Sequence, residues 1–129
     1  MIDQTLVLIK PDGVSRGLIG EVIKRFEDRG LKIVALKLVK IDMDKAKEHY
    51  TEDITKRWGG SVRNKLLEFI TEGPVTAMII EGVEAIENVR KIVGPTESKA
   101  APPGTIRGDY LHASFGYADE KNIPLKNII

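Results

Sequence analysis

Three apolar segments constrain this chain most strongly. They are Gln4–Lys10, Leu31–Ile41 and Val75–Ile80, and they are rich in Val, Ile and Leu. The first and the third contain continuous apolar runs, which are typical of buried central strands. Each segment is also much too short to span a bilayer as a helix. The chain is therefore predicted to build a sheet from these three segments.

Amphipathic helices separate the predicted strands. One is predicted over Leu18–Arg29, with Gly30 at its C-terminus, and another over Glu84–Val93, ended by Gly94. The apolar face of the first is predicted to contain Leu18, Ile19, Val22, Ile23 and Phe26, and its solvent face Lys24, Arg25, Glu27 and Asp28. The apolar face of the second is predicted to contain Ala85, Ile86, Val89, Ile92 and Val93. A helical pair, capped by Asp42 and by Ser61, lies between the second and third strands. Strands alternating with helices predict an α/β or α+β sandwich.

The end of the chain supplies the remaining element of that pattern. Asn122–Ile129 has the composition to begin a final strand, which would complete a βαββαβ order. A length of 129 residues corresponds to one domain.

Composition excludes several classes of function. The chain has no cysteine, two histidines and a formal net charge of +1. Disulfide and thiolate chemistry are excluded, and a histidine metal cage is not expected. The charge disfavours membrane-surface and nucleic-acid partners. Because we see neither a secretory signal nor a spanning run, we expect a cytoplasmic protein.

The segment Ala100–Asp109 is the clearest candidate binding segment. It has no periodic apolar pattern, two prolines stiffen it, and Gly104 and Gly108 allow tight turns. Arg107 lies within it, and its planar guanidinium suits phosphate oxygens. The alternative is a tight connection with a solvated arginine.

Lys10 is a second candidate because it follows a buried strand, where ligands of α/β proteins gather. The alternative is a lysine leaving the sheet for solvent. Gly17 and Gly20 do not form a dinucleotide fingerprint, and no P-loop is present. Any phosphate site must therefore be built from side chains.

Aromatic residues lie around an irregular, basic segment. Trp58, beside Arg57 and a glycine pair, is not in an apolar run, which suggests a platform for stacking a base. Tyr50 fits core packing on its helix, and His49 beside it is predicted to be structural. Arg90 lies at the edge of an apolar helix stripe, and alone it would be a solvated charge.

Several short motifs occur in one order along nearly the whole chain. They are Lys10-Pro11-Asp12-Gly13, Arg16-Gly17-Leu18-Ile19-Gly20-Glu21, His49-Tyr50, Val89-Arg90-Lys91, Gly94-Pro95-Thr96 and Pro103-Gly104-Thr105-Ile106-Arg107-Gly108-Asp109. In this register the chain resembles the nucleoside diphosphate kinases. The resemblance implies a single ferredoxin-like domain over residues 1–129, with a mainly antiparallel four-stranded sheet whose last strand, and the C-terminal helix after it, are expected to be cut off in this chain.

The resemblance also implies a reaction. Enzymes of this family pass the γ-phosphate of a nucleoside triphosphate to a nucleoside diphosphate by ping-pong through a phosphohistidine. Mg²⁺ acts on the nucleotide phosphates, and the subunits form homo-oligomers, here hexamers rather than tetramers.

Carried over by position, the resemblance gives a set that contacts phosphate and sugar: Lys10, Tyr50, Arg90, Thr96, Arg107 and Asn127. It gives Lys10, Tyr50 and Asn127 catalytic roles. Trp58 takes the place of the family's base-stacking phenylalanine, with Val62 or Leu66 on the other side of the base.

Two departures stand out. Leu111–Glu120 is expected to be an insertion, and His112-Ala113-Ser114 within it mimics the family's histidine motif but has Phe115 where the acid belongs. The family's nucleophilic histidine directly follows Asn-Ile-Ile, which here is Asn127-Ile128-Ile129. We therefore expect the nucleophile just beyond Ile129 and a C-terminally incomplete domain. The alternatives are a non-catalytic nucleotide-binding or interaction module and, disfavoured by charge, a nucleic-acid-binding regulator.

Overall fold

A computed structural model describes all residues from 1 to 129. One antiparallel sheet of three strands has the order β1-β3-β2. The strands are β1 (Ile2–Ile9), β2 (Lys32–Lys40) and β3 (Pro74–Val83). The predicted strands are thus confirmed, with ends that differ by one to three residues.

Eight α-helices and one 3₁₀ turn (Ser98–Ala100) complete the chain. The helices are α1 (Pro11–Ser15), α2 (Ile19–Asp28), α3 (Met43–His49), α4 (Glu52–Trp58), α5 (Gly60–Thr71), α6 (Ala85–Val93), α7 (Ile106–Tyr110) and α8 (Phe115–Lys121). None of them is long and apolar enough to cross a membrane.

Two apolar clusters hold the layers together. The larger joins β1 and β3 to α2 and α6, and Val22, Phe26 and Val89 are among its buried side chains. The smaller joins α3 and α5 to Val75 of β3. The predicted apolar face of α2 is therefore confirmed, and that of α6 is confirmed except for Ile86, which is exposed. Asp42 caps α3 by accepting a hydrogen bond from the Lys45 amide at 2.8 Å.

The residues that could begin a fourth strand, Asn122–Ile129, pair with no strand of this three-stranded sheet. One backbone bond links them to the end of β1, from Lys10 N to the Ile128 carbonyl at 2.6 Å. Ile128 has a φ of +71°, which interrupts an extended ladder. Side chains instead bind the polar backbone groups of this segment, as described below.

Three helices or helix starts also differ from expectation. The predicted turn at Asp12-Gly13 is helix α1, because Pro11 occupies the first helical position, where a missing N–H costs nothing. The irregular segment before Gly59 is helix α4. Helix α5 begins at Gly60, so Ser61 is not its cap.

The candidate binding segment Ala100–Asp109 and the segment Leu111–Glu120 also contain helices. Thr105 caps α7, which includes Arg107, by accepting a hydrogen bond from Gly108 N at 3.0 Å. Ser114 caps α8 in the same way, with the Tyr117 amide as donor. A polar cap therefore starts a helix in each of two segments that lack apolar periodicity.

Candidate functional site

A cavity of about 650 Å³ opens at the end of β1. It contains five of the predicted side chains: Lys10, Tyr50, Arg90, Thr96 and Arg107. Its other end runs along the free edge of β1, beside Ile86 and Val89 of α6. The cavity is therefore polar and cationic at the strand end and apolar along the strand.

Lys10 lies where β1 passes into α1. Its ammonium donates to Asn127 Oδ1 at 2.9 Å. Burial, and to a smaller extent the Arg107 cation, lower the pKa of Lys10 to about 8, while Asp12 opposes this shift. Two cations thus lie close together in a half-buried site, where an anion would be stabilised.

Arg107 projects from the first turn of α7 into the same cavity. Its guanidinium donates to three carbonyl oxygens, those of Gly94 at 2.9 Å, Asn127 at 3.2 Å and Ile129. Burial lowers the pKa of Arg107 to about 10. Arg107 therefore ties the end of α6 to the C-terminal residues while it keeps its charge at neutral pH.

Asn127 is buried and lies between these groups. Its amide nitrogen donates to the Thr96 carbonyl at 3.3 Å, and its oxygen accepts from Lys10. The side chain of Asn127 therefore fixes the lysine relative to the turn that follows α6.

Asp12 and Gly13 fix the next residue, Ile128. One carboxylate oxygen of Asp12 accepts a hydrogen bond from Ile128 N at 3.1 Å. A Cβ on Gly13 would lie 2.8 Å from Ile128 Cγ2 and 2.7 Å from Ile9 Cγ2, so only glycine fits. Asp12 and Gly13 were not assigned to the site from the sequence, although they directly follow Lys10-Pro11.

Tyr50 presents a phenolic hydroxyl that is buried and has no hydrogen-bond partner. Burial raises the pKa of Tyr50 to about 12, so the hydroxyl stays protonated at neutral pH and can donate a hydrogen bond. His49 packs against its ring edge-on, with centroids 4.7 Å apart, and also lines the cavity. Burial, together with nearby Lys10, lowers the pKa of His49, which favours a neutral imidazole. The sequence indicated only a structural role for His49.

Arg90 and Thr96 are exposed residues of the cavity wall, in the last turn of α6 and in the segment after it. Trp58 is not brought to this wall: it ends α4 and is 70% exposed. His112 is exposed and lies outside the cavity as well.

The arrangement suits a polyanion. Lys10 and Arg107 provide two inner positive charges, and Arg90 provides a third at the wall. The chain has no group of three or more His, Cys, Asp or Glu side chains that could hold a metal ion.

The family model for nucleoside diphosphate kinase matches residues 3–123. The chain belongs to the nucleoside diphosphate kinase family. It is 50% identical over 130 residues to a nucleoside diphosphate kinase of Borreliella burgdorferi, covering 100% of this chain and 78% of that protein. It is 57% identical over 109 residues to one from Sulfurisphaera tokodaii, covering 84% of this chain and 71% of the other.

Solved structures of the family have the same fold. A transition-state mimic of the Borrelia burgdorferi nucleoside-diphosphate kinase, with bound vanadate and ADP, aligns with a TM-score of 0.95 at 50% identity. That alignment covers 98% of this chain and 76% of the other. An NDP kinase from Pyrobaculum aerophilum aligns with a TM-score of 0.90 at 35% identity, over 99% and 86% of the two chains. The activity of the family is phosphoryl transfer between nucleotides, and family membership favours it over a non-catalytic module.

Proposed function

We propose that the cavity at the end of β1 binds the phosphates of nucleoside di- and triphosphates, and that Lys10 and Arg107 are its main phosphate ligands. The observation that carries this proposal is the meeting of both cations with the unpartnered Tyr50 hydroxyl in one cavity. Charge-assisted hydrogen bonds of this kind are the strong ones in proteins. Arg90 and Thr96 then bind the outer phosphates or the sugar.

Phosphoryl transfer depends mainly on positioning and on neutralising charge. Lys10 and Arg107 compensate negative charge on the transferred group, and Tyr50 donates a hydrogen bond toward it. Asn127 keeps the ammonium of Lys10 oriented at 2.9 Å. In the family mechanism a neutral histidine is the nucleophile, and the resemblance assigns it to the position after Ile129.

Mg²⁺ fits this site as an ion carried by the nucleotide rather than held by the protein. The polar end of the cavity is lined by cations and neutral donors, and carboxylate ligands do not cluster there. When bound, Mg²⁺ supplies further neutralisation of the phosphate charge. The protein side chains bind the oxygens that the ion leaves free.

The base is assigned to the surface near α4 and α5. Trp58 offers an exposed indole there, and Val62 or Leu66 of α5 offers an apolar surface. Stacking does not read base edges, so this arrangement would accept many bases. Trp58 does not line the cavity, so its role depends on α4 approaching the bound nucleotide.

The same chain is proposed to form a homo-oligomer, a hexamer rather than a tetramer, in the cytoplasm, where nucleotides are interconverted. β2 is an edge strand, and one of its faces exposes Val34, Leu36 and Leu38. Exposed apolar residues on an unpaired edge are a ready surface for a second copy. Sedimentation analysis tests this assignment, and a monomer at micromolar concentration would contradict it.

Calorimetric titration with ADP tests the phosphate site. Arg107→Ala and Lys10→Ala are each expected to weaken binding by about 1.5–3 kcal/mol, the usual contribution of a hydrogen bond to a charged group. Lys121→Ala removes an exposed charge outside the cavity and serves as the matched control. Equal affinity in all four proteins would refute the proposed site.

Labelling with γ-³²P-ATP tests the nucleophile. A chain extended beyond Ile129 with a histidine is expected to form an acid-labile, base-stable adduct, whereas the 129-residue chain is expected to form none. An extended chain that binds ADP but never becomes labelled would contradict the phosphohistidine step.

A further inference from the structure

Arg25 of α2 makes most of its contacts outside its own helix. Its Nη2 donates to Asp109 Oδ2 at 2.8 Å, and its Nη1 donates to the Gly104 carbonyl at 3.1 Å. The guanidinium carbon also lies 5.5 Å from the centroid of the Tyr110 ring. Only Nε turns back to α2, where it donates to Glu21 at 3.1 Å. The side chain is 24% exposed, so these bonds are partly shielded from water.

The segment that Arg25 contacts is short and tightly folded. Helix α7 has only five residues, too few to be stable alone. Asp109 accepts a second hydrogen bond from Gly104 N at 2.8 Å. A Cβ at Gly108 would lie 2.0 Å from the Pro102 carbonyl oxygen, so the two ends of the segment are in direct contact.

This segment, Pro102–Asp109, forms a wall whose residues line two different cavities. Pro102, Thr105 and Arg107 face the nucleotide cavity. Gly104 and Arg25 line a separate, shallow cavity of about 260 Å³. Arg25 therefore holds the wall from the face opposite to the one from which Arg107 projects.

We propose that Arg25 is a positioning residue for Arg107: by bonding to Gly104 and Asp109 it fixes the wall on α2 and thereby aims the Arg107 guanidinium at the nucleotide phosphates. The inference rests on the proposed function of the cavity. Binding sites need side chains held close to the productive geometry by a supporting layer of contacts. Without Arg25, the wall would keep its internal hydrogen bonds but lose its main polar link to the rigid helix α2.

The carboxylate that Arg25 binds stays charged over the working pH range. The Gly104 amide and the Arg25 guanidinium both lower the pKa of Asp109. The link between α2 and the wall is thus the charged pair of Arg25 and Asp109. Arg25 also donates to Glu21 and to the Gly104 carbonyl. A lysine at position 25 could reach one of these acceptors but could not bridge Gly104 and Asp109 at once.

A double-mutant cycle on ADP affinity tests the inference. Arg25→Ala is expected to weaken ADP binding about fivefold or more, within the coupling range of residues in one network. Lys24→Ala is the matched control, because Lys24 is the neighbouring cation of α2, is exposed and pairs with Asp28. Arg25→Lys is expected to recover part of the loss. In an Arg107→Ala background, Arg25→Ala is expected to add no further loss.

Two results would overturn the inference. One is a folded Arg25→Ala protein with unchanged ADP affinity while Arg107→Ala is weakened. The other is an equal loss of ADP affinity from Arg25→Ala in the wild-type and in the Arg107→Ala background, because Arg25→Ala would then act by loosening the protein in general rather than through Arg107. If Arg107→Ala itself leaves ADP affinity unchanged, the proposed phosphate site fails first and the positioning role fails with it. If Arg25→Ala does not fold, Asp109→Asn replaces it in the same double-mutant cycle. The same loss of ADP affinity is then expected, and the same two results would exclude the positioning role.

Discussion

Replacing Lys10 by methionine is expected to stabilise the nucleotide-free protein while it removes phosphate binding. Burial and Arg107 lower the pKa of Lys10 from 10.5 to about 8. One pKa unit corresponds to about 1.4 kcal/mol, so the charged ammonium costs the folded state about 3 kcal/mol. Methionine is nearly as long as lysine and carries no charge. The same charge that destabilises the empty site is the one that an incoming phosphate would satisfy.

The expected net gain is smaller than the electrostatic cost. Methionine also loses the hydrogen bond from Lys10 to Asn127 Oδ1 at 2.9 Å. Leaving that buried amide oxygen without a partner costs about 1–3 kcal/mol. Lys10→Met should therefore raise the free energy of unfolding by up to about 2 kcal/mol near pH 7.

The sign of the pH dependence follows from the lowered pKa. Below pH 8 lysine is charged in both the folded and the unfolded states, so the whole cost is present. As the pH rises from 8 toward 10.5, the folded protein releases the proton before the unfolded chain does, and wild type recovers stability. The stability difference should therefore move in favour of wild type by about 2.5 kcal/mol between pH 7 and about pH 10, so that wild type becomes the more stable protein at the higher pH.

Denaturant unfolding at both pH values measures these differences. Lys121→Met serves as the control, since it removes an exposed lysine of α8 and should show neither effect. A Lys10→Met protein that is less stable than wild type at pH 7 would refute the reasoning. So would a stability difference that does not change with pH.

The parts of the fold that the sequence predicted are those with strong local periodicity. Val22 and Phe26 share a face at helical spacing, and both are buried in α2 as expected. The missed helices have little or no apolar stripe and begin at a proline or at a polar cap. Thr105 and Ser114 cap α7 and α8 by accepting a hydrogen bond from the backbone amide three residues later in the chain. A single polar residue close to a glycine is a weak sequence signal for the start of a helix.

The site could be predicted where chemistry follows from residue type. Lys10 after a buried strand and Arg107 among prolines and glycines were found in this way, and both line the cavity. Asp12 could not be found, because its role depends on the amide of Ile128, a contact between residues 116 apart. Arg25 likewise looked like one solvated charge among several on α2, since the contacts with Gly104 and Asp109 are absent from local sequence.

Two further predictions concern residues outside the cavity. Trp58→Ala is expected to weaken purine nucleotides by about 1–3 kcal/mol, and ADP should quench or shift the fluorescence of this single tryptophan. Equal affinity in the variant would make the indole a surface or interface residue. His112→Ala is expected to leave ADP binding unchanged, because His112 is an exposed residue between α7 and α8 and does not line the cavity. A phosphoryl group can reach only a nucleophile that approaches it in line, and Lys10 and Arg107 are proposed to hold the phosphates at the end of β1. The 129-residue chain should therefore gain no acid-labile label from γ-³²P-ATP. If the chain does become labelled, and His112→Ala abolishes the label, then His112 reaches the bound nucleotide and is the nucleophile, contrary to our interpretation of His112-Ala113-Ser114.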